Sequence, residues 1–92
     1  MTIIDIVVIS LAFSAQGDDV IGDVRFTIEQ DAGTRTLTIP SRASTSRRIR
    51  PDALLIGEAI RELRRLPEVR SGEVRLRFAK GLTPFQDQTR VA

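Results

Sequence analysis

The sequence predicts a single α+β domain of two layers, with element order β-β-β-α-β, a mixed four-stranded sheet in the order 3-2-1-4 and one helix on one face. Three observations lead there. Three stretches in the first half alternate as strands do, one stretch from Asp52 to Leu66 carries apolar residues at spacings of three and four, and a last stretch, Glu73 to Phe78, alternates again. The first stretch is aliphatic on both of its alternating sets, which places it inside a sheet rather than at its edge. At 92 residues, one two-layer core is what the chain can build.

That first stretch runs from Thr2 to Phe13. Ile3, Val7, Ile9, Leu11 and Phe13 fall on one set, and Ile4, Ile6 and Val8 on the other. After the glycine-containing turn Ser14–Asp19, Val20, Val24, Phe26 and Ile28 alternate with a largely polar set, Asp23, Arg25, Thr27 and Glu29. Gly22 inside this second strand marks a bulge or a bend. Gln30–Gly33 is a hairpin turn, followed by Arg35–Ile39, and Pro40 is expected to stop that third strand. Ser41 to Arg50 then carries four arginines and no acid, and reads as an exposed loop.

Pro51 suits the first position of a helix and Asp52 its positive first turn. From there Ile56, Ala59, Ile60, Leu63 and Leu66 form one stripe, widened by Leu55, and Gly57 suits a close approach to the sheet. Glu58 with Arg61 and Glu62 with Arg65 are spaced to pair on the outer face, and Pro67 closes the helix. In the last strand Val74, Leu76 and Phe78 point to the core. Residues 1–81 make up the domain, and 82–92 read as a polar, flexible tail, apolar at Leu82 and Phe85, with Phe85 the residue that could pin it.

If the first three strands form a meander, a right-handed crossover through the helix sets the fourth parallel to the first, on its free edge. This makes the first strand interior, as its composition also requires. The helix is then expected over Ile3, Val7, Ile9, Leu11, Val24, Phe26, Ile28, Leu37, Ile39, Leu76 and Phe78. The open face is expected to carry Ile4, Ile6 and Val8 as an apolar stripe, with Arg25, Arg75 and Arg77 in its charged rim. A stripe of that kind is a partner surface, and its simplest partner is a second copy in a two-fold dimer.

No catalytic constellation is present. There is no cysteine, histidine, tyrosine or tryptophan, so thiolate nucleophiles, imidazole bases, disulfides and the usual transition-metal ligands are all missing. Asp18 and Asp19 are adjacent carboxylates without further ligands at a metal-binding spacing, and there is no phosphate-binding or dinucleotide fingerprint. The expectation is a non-enzymatic protein-interaction module with no cofactor or metal.

Charge suggests an alternative. The net charge is +2, but residues 1–31 hold six acids and one base, and residues 32–92 hold thirteen bases and six acids. Thirteen of the fourteen bases are arginine, which suits phosphate recognition and equally fits a bacterial genome rich in G and C. Arg42, Arg47, Arg48 and Arg50 could contact phosphate or nucleic acid together with the arginines of the last strand. Against this stands the absence of exposed aromatic rings on which bases could stack. The apolar N-terminal run lacks the basic flank of a signal peptide and is too short to span a bilayer as a helix, so a cytoplasmic protein without membrane contact is expected.

Overall fold

The strong alternation of the second stretch sets the frame into which the other elements fit. The computed structural model describes residues 1–80, in which β1 (Thr2–Phe13), β2 (Asp19–Gln30), β3 (Gly33–Ser44), α1 (Pro51–Arg64), α2 (Pro67–Arg70) and β4 (Arg77–Phe78) follow in order. The sheet has the order β3-β2-β1-β4, antiparallel except for β1 and β4, with α1 packed on one face. This is the expected α+β topology. The tail expected at 82–92, with Phe85, lies outside the described residues.

On the helix face, Val20, Val24, Phe26 and Ile28 of β2 are buried together with Ile3 of β1. The helix contributes Ala53, Leu55, Ile56, Ala59, Ile60 and Leu63. Pro51 occupies the first helical position and holds Arg50 extended (ψ 146°), so Arg50 is the N-cap although its side chain makes no cap. Asp52 accepts from the Ala53 N–H at 2.9 Å and pairs with Arg50 at 2.7 Å. The two expected pairs on the outer face, Arg61 with Glu58 and Arg65 with Glu62, form at 2.8 and 2.6 Å.

β1 departs from strict alternation at two places. Its register against β2 runs Ile3 with Ile28, then Asp5 with Thr27, and later Val8 with Val24, then Ser10 with Asp23, so Ile4 and Ile9 are extra residues of two bulges. Each bulge shifts the following side chains to the opposite face. Ile6 pairs with Phe26 and Val8 with Val24, so both lie on the helix face and pack against the core. Val7, opposite Arg25, lies on the open face. The expected stripe of Ile4, Ile6 and Val8 on the open face is therefore not formed.

The second bulge has a local cause. Ser10 Oγ accepts the Asp23 N–H at 3.0 Å and lies 3.2 Å from Asp23 Oδ2, so a side chain takes over a backbone ladder position. Gly22 next to it leaves room for the Ser10 carbonyl, into which a Cβ would run, and such a Cβ would also sit 2.8 Å from Leu55 Cδ1. The expected bulge at Gly22 is thus a bulge in its neighbour, and Gly22 accommodates it.

β3 does not stop at Pro40. It continues to Ser44, with Pro40 opposite Asp23. Proline is tolerated because β3 is an edge strand and its missing N–H faces outward. Conversely, β4 is shorter than expected: only Arg77 and Phe78 pair, with Thr2 and Ile3. The segment before it forms α2, with Pro67 at its first turn, and the Val74 N–H donates to the Glu68 carbonyl at 2.8 Å instead of to a strand. Leu76 and Phe78 still reach the core.

Candidate protein interface

A residue whose side chain is on the helix face of β1 has its N–H and C=O directed away from β2. The Ser14 N–H donates to the Asp19 carbonyl, so its neighbour Phe13 faces outward, and at the other end the Ile3 carbonyl accepts from Ala79 in β4. Between them Ile6, Val8 and Leu11 share that face and hence that direction. Since β4 pairs only with Thr2 and Ile3, the outward groups of Ile6, Val8, Leu11 and Phe13 meet no strand among the described residues.

The side chains along this edge are apolar. Ile4, Ile9, Leu11 and Phe13 are exposed, at 37, 46, 40 and 54% of their full surface, and Ile21 lies on the next strand opposite Ala12. The other edge of the sheet is different. β3 presents Thr34, Thr36, Thr38, Pro40 and Arg42 on the open face, whose backbone groups point outward, and a proline with charged neighbours blunts an edge against pairing. β1 has no proline beyond the turn, and Asp5 is its one charge.

Leu11 and Phe13 are uncovered because α1 lies chiefly over β3 and β2. Leu11, like Ile9, was expected under the helix and is exposed, and lengths visible in the sequence argue against that expectation. A helix of 14 residues spans about 21 Å, whereas a strand of 12 spans about 40 Å, so one helix leaves part of such a strand bare.

Arg25 is exposed on the open face, opposite Val7 and Thr38. Arg75 and Arg77 are also exposed, at the far end of β1, where the Arg75 carbonyl accepts from the N-terminal amine at 3.2 Å. The arginines of 41–50 do not form one cluster. Arg42 is in β3 and pairs with Asp19 at 2.6 Å, and Arg50 is held by Asp52, while Arg47 and Arg48 have no carboxylate partner among the described residues. No group of three or more potential metal ligands is assembled among the described residues, and no helix there is long and apolar enough to cross a membrane.

Searches against protein-family models, curated proteins and solved structures find no match to this chain.

Proposed function

We propose that this chain is a small non-enzymatic protein-interaction module that self-associates through its first strand. The observation that supports this is the contrast between the two sides of the sheet: β3 carries proline and charge, while the side of β1 away from β2, long and aliphatic, meets no strand from Ile6 to Phe13 among the described residues. An edge with bare N–H and C=O groups adds a strand, with the main chain supplying the bonds and alternate side chains the specificity. The surface is the edge of β1 and its helix-side residues. Arg75 and Arg77 lie at the end of that edge, within reach of a partner's rim.

Phosphate binding by the arginine loop has less support, because two of its four arginines are already engaged by Asp19 and Asp52. Sedimentation at micromolar concentration tests the proposal. The wild type is expected to be a dimer and Leu11→Pro a folded monomer, since proline there removes an outward N–H and no bond to β2. A wild type that sediments as a monomer overturns it. Salt-sensitive oligonucleotide binding lost on changing Arg47 and Arg48 to serine would favour the phosphate reading instead.

A further inference from the structure

Ile3 turns its backbone groups to β4, and the outward groups of β1 that meet no strand among the described residues belong to Ile6, Val8, Leu11 and Phe13. In an unbulged strand such groups recur at every second residue. Here the bulge at Ile9 opens a gap of three between Val8 and Leu11, with a gap of two on either side. The set therefore reads the same from both ends, with its centre between Ile9 and Ser10. A strand with this spacing matches an antiparallel copy of itself in one register without a slip.

Resting on the proposed self-association, we infer that two copies join their sheets edge to edge, β1 against β1, about a two-fold axis passing between Ile9 and Ser10. Ile6 stands opposite Phe13 of the other copy and Val8 opposite Leu11, and each such pair exchanges two N–H···O bonds. The result is a continuous sheet with strands in the order 3-2-1-1-2-3. Since the axis is perpendicular to the sheet, both helices lie on the same side.

Side chains and charges fit this register. Ile6 and Val8 are half-buried beside the core, and Leu11 and Phe13 are exposed. The pairing sets each exposed residue against a half-buried one of the other copy and covers the part of β1 that α1 does not reach. β4 ends at Phe78 on the same edge, so each copy's β1 runs toward the end of the other's β4. The turn holding Asp18 of one copy then comes to Lys80 of the other, two exposed groups of opposite charge at each end of the ladder.

The protein has no cysteine, so single-cysteine variants test the register without background. Val8→Cys and Leu11→Cys proteins are mixed, mildly oxidised and resolved by mass. Opposed residues of a hydrogen-bonded pair are about 5.5 Å apart, within disulfide range, while Val8 to Val8 or Leu11 to Leu11 is offset by three residues, about 10 Å, and is outside it. The expected product is the mixed Val8–Leu11 disulfide in large excess over either homodimer. If Val8→Cys does not fold, Phe13→Cys with Ile6→Cys makes the same test.

A dimer by sedimentation that gives no mixed disulfide, or a preference for either homodisulfide, overturns this register and leaves self-association standing. A monomeric wild type overturns both.

Discussion

At Gly22 the lack of a side chain serves two neighbours at once, admitting the Ser10 carbonyl from β1 and seating Leu55 of α1. Gly22→Ala forces the backbone of the bulge to move, and overpacking of that kind should cost about 3 kcal/mol in urea unfolding. Phe26, fully buried between α1 and the sheet, should cost about 3–5 kcal/mol when changed to alanine. Ile6 and Leu11 share the helix face of β1, and the limited reach of α1 separates what a charge does at each. Ile6→Glu places a carboxylate against the core and should destabilise the monomer by ~3 kcal/mol. Leu11→Glu, at an exposed position, should leave stability within about 1 kcal/mol and abolish the dimer. Circular dichroism melts and sedimentation of the two variants, compared side by side, check this. Arg50 is an N-cap without a capping side chain, so Arg50→Ser should stabilise by about 0.5–1 kcal/mol, read as a raised melting temperature, less whatever its exposed pair with Asp52 supplies.

Among the elements, those with one buried face were legible in the sequence and those with irregular pairing were not. β2 alternates without interruption on its buried face, and α1 has its stripe, its proline and its acidic first turn, so both were found within two residues. β1 could be placed inside the sheet by its composition, but its faces could not be assigned. An aliphatic residue suits either face of an apolar strand, so the one sign of the bulge at Ile4 was Asp5, which strict alternation sets between Ile3 and Val7 on the expected helix face and which the bulge moves to the open face, where it is exposed. The extent of β3 was misjudged because Pro40 blocks a strand only where its N–H is needed, which depends on the edge position and not on the residue. The arginine loop, taken as one unit from 41 to 50, is divided between the end of β3 and the approach to α1. Arg42 joins that end of β3 to β2 through Asp19, yet its side chain is well exposed. Arg42→Ala should therefore cost less than about 1 kcal/mol and lose that small effect in high salt, as a denaturation series at two ionic strengths would show.

For the whole molecule, topology followed from element order and handedness, and the order 3-2-1-4 is the one observed. The candidate interface was legible only in part: the aliphatic first strand drew notice in the sequence, but the two bulges undo the expected stripe on its open face, and the surface now proposed is its edge. The sheet closes through the pairing of Thr2 with Arg77 and Ile3 with Phe78, residues from opposite ends of the described chain. This has a consequence for the protein while it is being made. Translation proceeds at about 5–20 residues per second, so β1, β2, β3 and α1 are complete roughly 1–3 s before Phe78 is added. During that interval no β4 guards the start of β1, and its outer edge is bare from Thr2 onward. Successive ribosomes on one message hold such edges side by side, so a growing chain meets copies of its own first strand before it meets its own last one.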